Sequence, residues 1–599
     1  MSPHPIRPAL ADSTRLTDHV RRHLVRYAAG MGLLGSYQFA QYWFDTRLMR
    51  AIDAAIAGHA AVAIRYGLYL ALVALGAFAV RVLSRVVVFN AGRIAEYELR
   101  NSLLARLHRL GPSFYRRMSP GDIMSRATND LTQVRLLLGF GALNVINTAF
   151  ALVSALSVTL TISARLTLAS LATFPALILV TRGFGRRLYG RTRANQEALG
   201  DMSAAVQSSL AGIRVVRAFS LEESEISRFE RANRNYLDKS LSLARLRGSM
   251  GPAMQAISAV GMLVVFWYGG HLLLVGAIPP GGFLAFYRAL ARLTWPLMAL
   301  GFLVGMVQRG RASYSRLKEI YDAAVDASDG SVSSDRLSPR VLEIKGLCYA
   351  FDGRPVLSDV SFTLRHGEAL AIVGRTGSGK STLARVLARL EPTPRGAVFL
   401  DGQDICDLPL SVVRTAIGLS QQDAFLFSTT AARNIGYTLD DPESVEGRQG
   451  IVQAARDAQV HDELMTLPDG LDTMVGERGV QLSGGQKQRV ALGRAFVYRP
   501  SFLVLDDPLS AVDARTEKAI LEAIDRQRAE RSLILITHRV AAAAHCDRVL
   551  VLDRGRIVEQ GTPEELSRAG GLYQRFATEQ RLASELEIEE PSELAEEPA

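Results

Sequence analysis

Nine residues in one run carry the clearest chemistry in this sequence: Gly374, Arg375, Thr376, Gly377, Ser378, Gly379, Lys380, Ser381 and Thr382. They follow the apolar run ALAIV and lead into TLARVLARL. Strand, glycine-rich loop and helix is the order in which backbone N–H groups can wrap a chain of phosphates. Gly377 and Gly379 allow the curl, and the helix N-terminus adds the positive end of its dipole. Lys380 brings a point charge to the β- and γ-phosphates, and Ser381 a hydroxyl for Mg²⁺. A second apolar run, FLVLD, ends in Asp506 and is followed at once by Asp507. The first carboxylate is placed to hold Mg²⁺, and the second to orient an attacking water. A third run, SLILIT, ends beside His538, where a group sensing the terminal phosphate would sit. The chemistry these residues can do together is ATP hydrolysis with Mg²⁺ as cofactor.

Three short buried strands, each ending in a functional group, call for an α/β domain, and residues 341–575 supply it. A polar stretch, 326–340, separates that domain from a first half of different character. There, apolar stretches long enough to cross a bilayer fall at about 27–45, 63–89, 137–162, 166–185, 251–275 and 282–307. The spacing predicts a six-span helical membrane domain over 1–325. Residues 90–136 and 186–250 are long, helical in composition and rich in Arg, and Arg15, Arg21, Arg22 and Arg26 precede the first stretch. The positive-inside rule then puts the N-terminus, both long excursions and the α/β domain in the cytoplasm, with the spans in the cell (inner) membrane. The N-terminus shows no basic-then-apolar leader, so entry is expected through the internal helices. Residues 576–599 read as an acidic tail, its last stretch ELEIEEPSELAEEPA disordered and solvated.

Composition narrows the field. The net charge of +10 has two sharper readings, nucleic acid or anionic lipid, and the Arg residues beside the apolar stretches favour lipid over nucleic acid. Cys348, Cys406 and Cys546 are isolated, without metal-ligand or disulfide spacing, as in a reduced compartment. Asp and Glu are missing from the middle of every span, whereas Arg81, Arg288 and Arg292 are present. Arg288 and Arg292 lie four apart on one helical face with Trp295 close by, and all three are expected to line a substrate cavity. The alternative is that the two guanidinium groups bind backbone carbonyls or reach toward lipid headgroups.

Between the second and third strands lies LSGGQ, Leu482, Ser483, Gly484, Gly485 and Gln486, and with it the α/β half resembles the ATP-binding-cassette (ABC) ATPases. GERG (476–479) looks like the family's exporter coupling segment and SAVD (510–513) like its D-loop. PSFYRRMSPGDIMSRATNDL (112–131) and AGIRVVRAFSLEE (211–223) look like the two cytoplasmic excursions of an ABC exporter. The resemblance implies that Gln422 contacts Mg²⁺, that Phe351, with Tyr349 as fallback, stacks on adenine, and that LSGGQ completes an ATP site on a second half-transporter.

One residue departs from that pattern. The family normally has Glu where Asp507 stands, and Asp is shorter by one methylene, roughly 1.5 Å of reach. The site built on this chain's own phosphate-binding loop is therefore expected to hold ATP and hydrolyse it slowly. DDPLSAVD resembles the impaired-site half of asymmetric exporters, while LSGGQ is intact. The resemblance thus implies a heterodimeric exporter of a small or amphipathic substrate. A homodimer with two slow sites, or an ATP-gated regulator or channel, are the alternatives. A soluble cassette ATPase acting on nucleic acid is disfavoured by the six stretches.

Overall fold

The computed structural model describes residues 18, 21–172, 174–330, 332, 338–351, 353–476, 479–509, 514–528 and 530–589. The chain forms two compact units, one of Met1–Arg109 and Met118–Ala323, the other of Leu110–Arg117 and Ala324–Ala599.

The first unit is all helix. Its elements are α1 (Leu24–Ile56), α2 (Ala60–Leu107), α4 (Pro120–Ile162), α5 (Ala164–Leu171), α6 (Phe174–Ala211), α7 (Ile213–Ala218), α8 (Glu222–Leu274) and α9 (Pro280–Tyr321); α3 (Pro112–Arg117) belongs to the second unit. Their lengths follow from uninterrupted runs of helix formers, with breaks where the sequence supplies a stop. Ser163 is the one non-helical residue between α4 and α5: its backbone turns extended and its Oγ accepts from the Leu166 N–H at 3.3 Å. Wide turns at Arg126–Asp130 and Leu137–Gly141 lie within α4, and another at Val265–Gly269 within α8.

Among the described residues three helices are long and apolar enough to cross a membrane: Ala60–Leu107, Pro120–Ile162 and Glu222–Leu274. The stretches 27–45 and 282–307 fall within α1 and α9, and 166–185 is shared between α5 and α6. Along α2, Leu68, Leu72, Leu75 and Phe78 form a stripe with about two-thirds of each residue exposed. Water does not tolerate a contiguous apolar face of this kind, whereas lipid does. The unit is a membrane domain. Inside it α1, α4 and α9 share a small core of Ala155, Val158, Ala289 and Leu293, closed by Tyr42, Leu152 and Ile162. Gly281 lets α9 approach α1: a Cβ there would lie 2.0 Å from the Met49 carbonyl oxygen.

The second unit is built on two main sheets. An antiparallel sheet holds β1 (Val341–Phe351), β2 (Arg354–Arg365), β4 (Val398–Leu400) and β5 (Gln403–Asp404) in the order β2-β1-β4-β5. The larger sheet contains β3 (Ala369–Val373), β6 (Ile417–Ser420), β9 (Phe502–Asp506), β10 (Ser532–Thr537), β11 (Arg548–Asp553) and β12 (Arg556–Gly561), ordered β12-β11-β3-β10-β9-β6. A short ribbon, β7 (Thr429–Thr430) with β8 (Met474–Val475), stands apart. Strands β3, β6, β9, β10 and β11 run parallel, and only β12 is reversed. Both faces of this sheet are covered, which explains why its strands read as continuous apolar runs. Ala369, Ala371 and Val373 point into one core, and Leu370 and Ile372 into the other. The acidic C-terminal stretch is helical as far as Glu589, at the end of a helix starting at Leu572, and 590–599 lie outside the described residues.

Candidate functional site

Parallel pairing brings three strand ends together. Val373 lies beside Thr537, and Ile536 beside Asp506, so the loops after β3, β9 and β10 emerge side by side. This is the edge of an open parallel sheet where ligands bind.

The loop after β3 leads into α10 (Lys380–Leu387). Gly377 and Gly379 take φ of 84° and 106°, the left-handed region that glycine enters freely. A Cβ on Gly377 would meet nothing within 4 Å, so the loop backbone is open to an incoming group there. At Gly374 a Cβ would lie 2.2 Å from the Leu552 carbonyl oxygen, so that glycine is required by the strand packing beneath. Arg375 and Thr376 are exposed, whereas Thr382 is buried under the loop. Ser378 is only 4% exposed, and its Oγ has no hydrogen-bond partner. A buried hydroxyl left unsatisfied costs about 1–3 kcal/mol, and a phosphate oxygen in the loop would satisfy it. Lys380 Nζ donates to the Gly374 and Arg375 carbonyl oxygens at 2.6 and 2.9 Å, which draws the loop around its own cation. Burial lowers the Lys380 pKa, against the pull of Asp506 and Asp507.

Ser381 Oγ donates to Asp506 Oδ1 at 3.1 Å. A hydroxyl and a carboxylate at this position are hard oxygen ligands of the kind Mg²⁺ takes together with phosphate oxygens and water. Among the described residues no group of three or more His, Cys, Asp or Glu could hold a metal by itself. An ion held partly by phosphates needs no such cluster. Burial, with Asp507 adding to it, raises the Asp506 pKa above the usual carboxylate range. The folded protein therefore holds that proton more tightly than the unfolded chain does. Its stability falls as pH rises from the ordinary carboxylate pKa through the raised one, and at neutral pH ionised Asp506 is a net cost. Asp506→Asn is expected to raise the nucleotide-free melting temperature by about 2–4 °C for each kcal/mol of that cost. The same change should abolish the further rise that Mg²⁺-ATP gives the wild type. A drop in the nucleotide-free value would show that the carboxylate's hydrogen bonds outweigh its burial.

Asp507 follows directly with φ of 51°. Its N–H donates to the Ile536 carbonyl at 2.9 Å, and its own carbonyl accepts from Gln488 Nε2 at 2.8 Å. Its carboxylate Oδ1 lies 3.1 Å from His538 Nδ1. The structure thus places the two predicted catalytic groups in contact. Gln422, exposed, follows the end of β6, whose Ser420 pairs with Leu505. Its neighbour Gln421, rather than Gln422, lines a cavity of about 360 Å³ with Arg414, Arg494 and Tyr498.

Phe351 ends β1, and the Arg116 guanidinium lies 4.7 Å from its ring centroid. Arg116 donates to both oxygens of the fully buried Glu391, at 2.6 and 3.2 Å. Tyr349 donates to Glu391 at 3.3 Å, and burial pushes its hydroxyl up to about 12. Tyr349 is committed to that carboxylate, which leaves Phe351 as the ring available to a base. Neither Arg116 nor Glu391 stood out in the sequence, since 275 residues separate them.

The LSGGQ residues divide in two. Leu482 is part of the core. Gln486 forms a reciprocal cap with Ser483, Ser483 N donating to Gln486 Oε1 at 2.9 Å and Gln486 N to Ser483 Oγ at 3.2 Å. This cap starts α11 (Gly484–Tyr498). Ser483 and Gly484 are exposed, Gly485 is half-buried, and nothing lies within 4 Å of a Cβ at Gly484. The result is an open helix N-terminus, a favourable place for an anion. Glu477, Arg478 and the 510–513 segment lie outside the described residues.

In the membrane unit Arg288 and Arg292 both pair with Asp45, at 2.5 and 3.0 Å. Asp45 sits at the end of the first apolar stretch, and its carboxylate was not recognisable as their partner from sequence. The Trp295 side chain lies outside the described residues. Arg81 donates to the Tyr37 hydroxyl at 3.2 Å and lies over its ring.

Residues 24–297 match the ABC transporter transmembrane region, and residues 357–510 the ABC transporter family. An uncharacterized ABC transporter ATP-binding protein of Bacillus subtilis is 34% identical over 84% of this chain and 87% of its own length. A probable multidrug resistance ABC transporter ATP-binding/permease protein of the same organism is 35% identical over 82% of this chain and 84% of its own. A bacterial Atm1-family ABC exporter solved with ATP bound aligns with a TM-score of 0.75 at 28% identity, covering 94% of this chain and 98% of that one. A membrane domain followed in the chain by a phosphate-binding α/β domain, matched along most of its length by such proteins, has one identity: this chain belongs to the ABC transporter family, of the exporter type.

Proposed function

We propose that the chain is one half of an ATP-driven exporter that moves a small or amphipathic substrate across the cell membrane by alternating access. The observation that carries this reading is the convergence of Lys380, Ser381, Asp506, Asp507 and His538 at one sheet edge, on a chain whose other unit exposes an apolar helix face. ATP would lie along Gly374–Thr382 with its base on Phe351, and Mg²⁺ between Ser381, Asp506 and Gln422. Asp507 would orient the attacking water and His538 sense the terminal phosphate. Six spans would leave the N-terminus and the ATPase domain on one side of the membrane, and the Arg-rich excursions favour the cytoplasm. Arg288, Arg292 and Trp295 line the substrate cavity.

The open N-terminus of α11 would complete an ATP site on a second half-transporter. The short side chain of Asp507 makes the chain's own site the slow one, so a partner bearing Glu at that position is favoured. The contact between His538 and Asp507 supports a second reading, a homodimer in which both sites turn over.

The test is ATP-driven movement of a fluorescent amphiphile into sealed vesicles, with the chain alone and with a Glu-bearing half-transporter. Movement with either, dependent on Lys380, supports export, and the pairing that works decides between the two dimers. ATP hydrolysis without movement in both would leave the ATP-gated regulator as the reading that stands.

A further inference from the structure

Arg288 and Arg292 share one carboxylate. Arg288 Nε donates to Asp45 Oδ1 at 2.5 Å, and Arg292 Nη1 lies 3.0 Å from Asp45 Oδ2. Gln41 Oε1 accepts from Arg288 Nη2 at 3.0 Å, and Ser154 Oγ from Arg292 Nη2 at 3.2 Å. Two cations and one anion leave the cluster with one positive charge in excess. The three helices that carry it pack together, α4 and α9 through Ala155, Val158, Ala289 and Leu293, with Tyr42 of α1 against them. Arg288 lies eight residues from the start of α9, Ser154 eight from the end of α4, and Asp45 eleven from the end of α1. At the helical rise these are about 12 to 17 Å from the helix ends, and since the apolar stretch of α1 stops at Asp45, the cluster runs from the boundary of the hydrocarbon region inward.

A charge at that depth faces the bundle interior or a water-filled cavity, not lipid. The side chains differ in exposure. Asp45 is 0% exposed and Arg292 16%, while Arg288 is 36% exposed. Arg288 therefore presents the excess charge to the interior. The ring of Phe44 lies beneath its guanidinium at 4.1 Å, an apolar surface next to the cation. Gln38 Oε1, also buried in this region, has no hydrogen-bond partner among the described residues.

We infer that Arg288, held by Asp45 and backed by Arg292, binds the single anionic group of an amphipathic cargo, whose apolar part lies on Phe44. This deepens the export reading and rests on it. Asp45 acts as the resident anion: it keeps the two guanidinium groups together when cargo is absent, and it sets the charge to be matched at one. A carboxylate, sulfonate or phosphate-ester headgroup fits. An amphipathic cation does not.

The test compares a dansyl-labelled undecanoic acid with its methyl ester, titrated against the full-length chain in discs of neutral phosphatidylcholine, with empty discs subtracted. The wild type is expected to bind the acid about 10-fold or more tightly than the ester, the value of one charge-assisted hydrogen-bonded contact. Arg288→Gln should bring that ratio to about one, leaving the ester unchanged. Asp45→Asn should strengthen binding of the acid, because the second cation is then uncompensated, whereas simple packing damage would weaken both probes. A wild-type ratio near one, or a preference that survives Arg288→Gln, overturns the inference. So does Asp45→Asn weakening the acid in a chain that still binds ATP. If Asp45→Asn does not fold, Arg288→Gln decides alone. Transport in vesicles separates this from the export reading: acid that binds but is not moved by ATP overturns export and keeps the site. Movement of acid and ester at equal rates does the reverse.

Discussion

Lys380→Met is expected to weaken ATP binding about 100-fold, taking ATP-dependent transport with it, because it removes the half-buried cation that the phosphate loop curls around. The geometry explains why the loss is this large. Lys380 Nζ is held by the carbonyl oxygens of Gly374 and Arg375. Burial already disfavours its charge, so the ammonium gains more from a phosphate than an exposed lysine would. Phosphates arriving in the loop take over those donated bonds and at the same time satisfy the buried Ser378 hydroxyl. Methionine has similar length and no charge, so the loop keeps its packing and loses its ligand contact. Equilibrium binding of a fluorescent ATP analogue, with melting measured in parallel, separates the two effects. A melting temperature within a few degrees of wild type, together with lost binding, is the expected pair. Retained binding would mean that the backbone N–H groups alone hold the phosphates. The conservative Lys380→Arg should recover only part of the affinity, since a planar fork does not fit where a compact ammonium is held by two carbonyls.

The parts of this site that could be read from sequence are the ones made by neighbours in the chain. The runs before Gly374, Asp506 and His538 are strands buried on both faces, so each appears as an unbroken apolar segment with its functional residue at the end. The loop's glycines stand out for the same reason, since the positive φ angles that favour them at 377 and 379 are local. The order β12-β11-β3-β10-β9-β6 could not be read, because parallel neighbours are separated by crossovers and carry no local mark of their partners. Asp45 failed to stand out for a related reason. It lies more than 240 residues from Arg288, and a single carboxylate at the end of an apolar stretch looks like a span boundary. Arg116 reads as one more basic residue in a basic excursion until the fold places it between Glu391 and Phe351. The capping role of Gln486 was likewise hidden inside a motif legible for another reason. Sequence patterns report what lies within a turn or a strand, and long-range ion pairs escape them.

Asp507→Glu is expected to raise the steady-state ATPase rate of the chain in lipid by about 10²-fold, the scale of a 1 Å correction to a reacting group. The backbone cannot make up the missing methylene. Asp507 is tied at its N–H to Ile536 and at its carbonyl to Gln488, so it cannot move toward the phosphates without breaking both bonds. The side chain is also engaged, its Oδ1 lying 3.1 Å from His538. His538 is more than half exposed and free to turn, so a longer carboxylate can displace it and still reach a water beside the terminal phosphate. A cost opposes the gain. The φ of 51° suits Asp better than Glu, whose side chain cannot fold back to its own backbone as easily, and the melting temperature should drop slightly. A faster enzyme that is slightly less stable is therefore the signature of a reach defect. Global improvement in folding would raise both quantities together. Asp507→Asn in the same preparation should bind ATP as the wild type does and hydrolyse it no faster, which fixes the effect on the carboxylate. If Asp507→Glu and the wild type turn over at the same rate, Asp507 is competent where it stands. The contact with His538 is then the working pair, and two copies of this chain suffice for the motor.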